Sequence, residues 1–335
     1  MEILSKIHAR RLVEWSKDKP EVYLLSADLT SSCEADLFRD TYPERFLSMG
    51  IAEQNMLSFA GGMARQGLVP FIHTFAVFIY RRAYDQIAMS VAYPNLPVKM
   101  FGFLPGILTP GGATHQAVED ISVMRSLPNV TILESGDATD VESVIDVAYN
   151  TPGPVYVRQL RGEVPRLFDA GEPMKLGVAR KLSSGRDFIL LTSGICTEEG
   201  MRAVPALRDY GIKIAHYHIS TLKPFDQPRI IREIAASKYG AITLENHSVI
   251  GGLGTIVAEK MAEAACGKPL FRLGLQDTFA HGASRRYLMR EYGIDAMALI
   301  EKVKEITDKP IKITESDLTE TYTPAVHSTA KAEAL

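Results

Sequence analysis

Short, almost wholly apolar runs recur along this chain and constrain its fold more than any other feature. They fall at 22–27 (VYLLSA), 69–72, 98–102, 130–133 and 155–157, with helix-patterned stretches at 79–92, 117–125 and 138–149 between them. A strand with one wet face alternates apolar and polar residues. A continuously apolar run needs cover on both faces. Strands of this kind alternating with helices predict an α/β unit, a doubly wound parallel sheet. In such sheets ligands gather at the loops beyond the carboxyl ends of the strands. Asp28, the stretch after Phe71 and the stretch after Gly102 belong there.

A second series of the same kind follows, with strands at 188–192, 213–218, 241–244 and 271–275 and helices at 198–208, 227–236, 253–264 and 296–305. Between the two series, 169–186 is rich in Gly, Lys and Arg with little periodicity, and reads as a linker. The predicted organisation is a domain over 1–168, the linker, a second doubly wound domain over 187–306, and a polar, flexible or wrapping tail over 307–335. A chain of 335 residues can bury two such cores. Its net charge of -3 gives no basis for a nucleic-acid or membrane partner. Cys33, Cys196 and Cys266 lie far apart without a CxxC pair, which points to a reducing compartment and away from a disulfide frame or zinc site. The opening MEILSKIHARRLVEW has the charge spacing of an amphipathic helix and no long apolar core, so a cytoplasmic location is expected.

The stretch 46–78 carries the first chemical signal. A turn at Gly50 leads into a helix-like segment over 51–66, with Glu53 at its mouth among Met49, Ile51, Met56 and Leu57. An acid in a first helical turn is favoured by the dipole alone. Apolar neighbours would also desolvate it and raise its pKa, which suits proton transfer. A glycine-rich loop over 106–116 ends in Thr114-His115-Gln116, expected to hold an imidazole near a helix N-terminus, where a neutral ring is favoured or where it simply caps the helix. Aromatics cluster just after a strand at 74–80, ordinarily core packing. Arg158 and Arg161 end another strand, where a pair of guanidinium groups could hold a phosphate or sulfonate. Gly251, Gly252 and Gly254 open a helix after a strand, but Val257 holds the place of the third glycine of a dinucleotide loop. A tight crossover is the better account.

Taken in order, SADLTSS (26–32), MGIAEQNM (49–56), TFAVF with RRAYDQI (74–87), GGATHQAVED (111–120), GPVYVRQ (153–159) and LENHSVIGGLG (244–254) resemble the C-terminal half of transketolase, and most closely the second chain of the split transketolases. The likeness runs to about residue 306. It implies a pyrimidine-binding domain of a thiamine diphosphate enzyme followed by the family's C-terminal domain, which makes no direct catalytic contacts. Glu53 matches the glutamate that hydrogen-bonds N1′ of the cofactor's aminopyrimidine. Phe78 matches the aromatic that stacks on that ring, Phe75 one packing beside it, and Asp28 and Ile51 lie on the cofactor side. Ser32 and Arg158 match residues that hold the sugar's terminal phosphate, and His115 matches a histidine at the hydroxyls of donor and intermediate.

The GDG…N motif that binds Mg²⁺ and diphosphate in such enzymes is absent, the only Gly-Asp pair being Gly136-Asp137. The resemblance therefore implies a companion N-terminal chain that supplies the metal ligands, in an α₂β₂ assembly. This chain departs from the family at Phe103 and Leu104, near an expected histidine, and at Pro110 and Gly111, where relatives have Glu-Asp. Ser5 and Lys6 stand near the place of an expected arginine. Those lost polar groups point to an atypical donor, a branched ketose phosphate or a sulfo-ketose. A 2-oxoacid dehydrogenase β chain, a deoxyxylulose-phosphate synthase relative and a non-catalytic regulatory subunit are the competing readings.

Overall fold

The computed structural model describes residues 2–319. Its first half runs β1 (Ile3–Ser5), α1 (Ile7–Trp15), β2 (Val22–Ser26), α2 (Asp36–Thr41), β3 (Phe46–Ser48), α3 (Glu53–Arg65), β4 (Val69–Phe75) and α4 (Ala76–Gln86). It continues through β5 (Lys99–Phe103), α5 (Asp120–Arg125), β6 (Thr131–Glu134), α6 (Ala138–Asn150), β7 (Val155–Gln159) and β8 (Glu163–Pro165). The apolar runs pair in parallel in the spatial order β6-β7-β5-β4-β2-β3. Leu24, Leu25, Phe71, Ile72, Met100 and Phe101 are wholly buried, as strands covered on both faces require.

The second half comprises β9 (Arg180–Lys181), β10 (Phe188–Thr192), α7 (Cys196–Asp209), β11 (Ile214–His218), β12 (Thr221–Lys223), α8 (Pro228–Ala236), β13 (Ala241–Ser248), α9 (Leu253–Glu263), β14 (Leu270–Leu275), α10 (Arg285–Glu291) and α11 (Ala296–Thr307). Its sheet, in the order β14-β13-β10-β11-β9, is parallel except at β9. Both halves are thus α/β units with mostly parallel sheets.

The expected linker is not wholly irregular, because β9 lies within it and pairs antiparallel to β11. The second half also gives a strand to the first sheet: β12 lies antiparallel beside β6 at its edge. Lys223 fastens that strand by donating from Nζ to the carbonyls of Arg125 and Leu127. Two short charged edge strands carry no apolar run, so periodicity does not reveal them. The start of the tail wraps onto the second domain. Ile311, Ile313 and Leu318 are buried, and Glu315 pairs with Arg202 and Arg290 at 2.5 Å each. The rest of the expected tail, 320–335, lies outside the described residues. Among the described residues no helix is long and apolar enough to cross a membrane.

Candidate active site

The carboxyl ends of β3, β2, β4 and β5 lie side by side, and the loops beyond them bring the chemical residues together. Asp28 follows β2 in a left-handed backbone conformation (φ 75°), exposed to solvent. After β3 the chain turns at Gly50 (φ 69°) and enters α3 with Glu53 as its first residue. Ala52 offers no capping side chain, so Glu53 is the acid of that first turn. Ile51, two residues before it, is 73% exposed.

Glu53 is itself only 3% exposed. The expectation of a carboxylate desolvated among apolar neighbours needs correction, because Arg82 of α4 donates from Nη1 to Glu53 Oε1 at 2.7 Å. The same guanidinium carbon lies 4.0 Å from the ring centroid of Phe78. Phe78 and Arg82 are one helical turn apart, which puts both on one face of α4. That i, i+4 spacing was visible in the sequence and is the signal that could have found Arg82.

Phe75, at the end of β4, is buried, and half-buried Phe78 stacks with it (centroids 5.9 Å apart, planes at 17°). His115 meets Phe78 edge-on at 5.4 Å and Phe75 at 6.4 Å. It does not sit at a helix N-terminus, however. Residues Gly106 and Ala117 bridge across the base of the loop, and α5 starts only at Asp120. The helix-field argument for a neutral imidazole and the capping alternative therefore both fall. His115 is held in a turn, with Nδ1 2.8 Å from Thr114 Oγ1.

The largest correction concerns Arg158. It is wholly buried, donating from Nε to Asp120 Oδ2 at 2.9 Å, from Nη1 to Glu134 Oε1, and from Nη2 to the Asn246 carbonyl at 2.9 Å. A guanidinium so committed cannot hold a sugar phosphate. Arg161 lies at the site instead. It is partly exposed, donates to the Ser32 carbonyl at 2.8 Å, and lies 5.9 Å from the Phe75 ring. Ser32 itself is buried. Beside them the buried Glu34 accepts from the backbone N–H groups of Gly162 (2.7 Å) and Ala9 (3.3 Å). Burial pushes its carboxyl up, against those bonds and the charges of Arg161 and Lys6.

The N–H groups opened by the Gly251–Gly254 turn are already taken by a side chain of this chain. The Glu245 carboxyl group occupies the helix N-terminus, accepting from the backbone of Leu253 (2.6 Å) and Gly254 (2.8 Å). A Cβ on Gly252 would lie 2.1 Å from that carboxyl group, which is why glycine stands there. Asp137 likewise caps α6, accepting from Asp140 N. Among the described residues no three His, Cys, Asp or Glu side chains gather as they would around a metal ion.

The family models for the transketolase pyrimidine binding domain and the transketolase C-terminal domain match residues 4–166 and 177–299. The chain belongs to the transketolase family. It is 40% identical over 287 residues to an uncharacterised transketolase family protein of Sinorhizobium fredii, covering 85% of this chain and 83% of that one. It is 36% identical to a 6-deoxy-6-sulfo-D-fructose transketolase subunit of a Clostridium strain, covering 89% and 92% of the two chains. Among solved structures it resembles a split-gene transketolase described as an inactive β4 tetramer (TM-score 0.82, 34% identity, 90% and 97% covered). By contrast it spans only about half the length of the 1-deoxy-D-xylulose-5-phosphate synthases it matches. Membership of this family implies use of thiamine diphosphate.

The residues at the carboxyl edge suit the aminopyrimidine half of that cofactor: a shielded carboxylate, a stacked aromatic pair and an edge-on imidazole. The helix N-terminus opened by Gly252 does not suit the diphosphate half, since Glu245 already fills it.

Proposed function

We propose that this chain is the pyrimidine-side subunit of a two-chain, thiamine-diphosphate-dependent transketolase that moves a two-carbon ketol unit from a ketose to an aldose phosphate. The observation that carries this reading is the clustering of Glu53, Arg82, Phe78 and His115 at one sheet edge, in a chain that matches a split subunit over nearly its whole length. When bound, the cofactor supplies the nucleophilic carbon and the electron sink for breaking and making the ketol carbon–carbon bond. Arg82 fixes Oε1 of Glu53, so Oε2 is the oxygen to hold and exchange a proton at N1′ of the pyrimidine. Phe78, backed by Phe75, would stack on that ring, and Asp28 and Ile51 would line the same side of the cofactor site. His115 faces the sugar hydroxyls. Arg161, steadied by the Ser32 carbonyl, takes over the terminal anion from Arg158.

A companion chain with a GDG…N motif supplies the Mg²⁺ and diphosphate ligands, in an α₂β₂ assembly in the cytoplasm. The donor is an atypical ketose with a terminal phosphate or sulfonate. Phe103 and Leu104 are buried in place of an expected histidine, and Gly111 offers no carboxylate to read a donor hydroxyl.

A donor screen on the reconstituted pair tests this. Two-carbon transfer with higher kcat/KM for a sulfo-ketose or branched ketose phosphate than for xylulose 5-phosphate is expected. The reverse preference would overturn the donor assignment. The likeness to deoxyxylulose-phosphate synthases favours one second reading, in which CO₂ is released from pyruvate, and CO₂ detection in the same assay separates the two.

A further inference from the structure

Loop 106–117, which carries His115, is gripped from the second domain. At its base the side chain of Asn246, on β13, donates from Nδ2 to the Pro105 carbonyl at 3.1 Å and accepts from Ile107 N–H at 3.0 Å. The amide thereby spans Gly106, which has φ 61° and whose Cβ would lie 2.1 Å from Asn246 Oδ1. Next to this clamp the Ser248 N–H donates to the Val118 carbonyl at 2.8 Å. At the far end of the loop, beside His115, Gln116 Nε2 donates to the carbonyls of Thr109 and His281, both at 3.2 Å, the latter from the segment after β14. Arg158 completes the arrangement from below, bonding the Asn246 carbonyl and sitting on the Asp120 carboxylate.

We propose that Asn246 is a positioning residue for His115, so that the second domain sets the geometry of a group at the substrate. The inference rests on the functional reading above. The loop bears His115 between two fixed points, the Gly106–Ala117 bridge and the Gln116 side chain, both anchored through residues far away in sequence. A buried amide that satisfies a donor and an acceptor on either side of one glycine holds that backbone in a single conformation. Loss of either bond leaves a buried partner unmet and lets the loop shift relative to Phe78. Reaction rates are sensitive to such shifts, about 100-fold for a displacement of roughly 1 Å.

The test uses Asn246→Ala and the near-isosteric Asn246→Asp, which keeps the acceptor for Ile107 and loses the donor to Pro105. Amide hydrogen exchange over 106–117 is measured on each full-length chain, and thiamine diphosphate affinity, kcat and KM on the reconstituted pair. Faster exchange confined to that loop, with kcat down about 10- to 100-fold and cofactor affinity unchanged, is the expected result. Unchanged exchange would overturn the clamp. Faster exchange with unaltered kcat would overturn its role in placing His115. A wild-type pair without any turnover would sink the functional reading instead. The His115 ring proton resonances in the isolated chain would then decide the positioning, supporting it if they move in both variants and refuting it if they do not.

Discussion

Replacing Arg158 with methionine separates two accounts of that residue most sharply. As a ligand for a sugar's terminal phosphate, Arg158 would be dispensable for folding, and its loss would raise KM. In the structure it has no exposure and lies between the carboxylates of Asp120 and Glu134, with the Tyr156 hydroxyl donating to Asp120 Oδ2 at 2.7 Å. Arg158→Met leaves two acids buried without their counter-charge. Breaking a buried pair in this way costs about 3–5 kcal/mol. For a unit of this size that corresponds to a fall in Tm of about 6–20 °C. The measurement is thermal and urea unfolding of the chain alone at pH 7, beside Arg161→Ala, whose half-exposed guanidinium should matter by less than about 1 kcal/mol. The triple variant Arg158→Met, Asp120→Asn, Glu134→Gln should recover much of the loss, because the stranded charges are gone. An Arg158→Met chain within about 1 kcal/mol of wild type would refute the scaffold assignment.

Other consequences concern the site and its surroundings. Glu53→Gln should cut turnover of the reconstituted pair by about 10²- to 10⁴-fold, with near-normal unfolding of the chain; unaltered turnover would remove Glu53 from the chemistry. Arg161→Ala should raise KM for a donor with a terminal anion by about 10- to 100-fold and change kcat less, read from saturation curves on the same pair. Burial drives the Glu245 carboxyl up to about 8, so the folded chain keeps its proton over a range where the unfolded chain has released it. Wild type should therefore lose stability relative to Glu245→Gln as pH rises from about 5 to 8. Urea midpoints at those two pH values check this, and a constant difference would contradict it.

Strands were legible wherever burial is two-sided, since Leu24, Phe71 and Met100 need apolar neighbours on both faces. The same rule ended them too early. β4 runs on through His73 and Thr74, polar residues that are wholly buried, with His73 Nε2 2.8 Å from His8 Nε2. The site's members could be picked out because Glu53 and Phe78, in the first turns of helices that follow strands, and His115, in a loop, all stand at the sheet's carboxyl edge. Their partners were less visible. Strand composition does not distinguish Arg158 from Arg161, whose fates depend on Asp120 and Glu134 arriving from other elements. The amide of Asn246 reaches a loop 139 positions away in sequence, a pairing that no local pattern encodes. Short charged edge strands such as β9 escape for a related reason, because their hydrogen bonds are supplied entirely by a neighbour.

Calorimetric titration of thiamine diphosphate with Mg²⁺, into this chain alone and into the chain mixed with a GDG…N companion, tests the central claim most directly. Tight, Mg²⁺-dependent binding by the mixture and none by the chain alone is the predicted result. Tight binding by the isolated chain would mean that it already holds both halves of the cofactor site, and the two-chain account would fail.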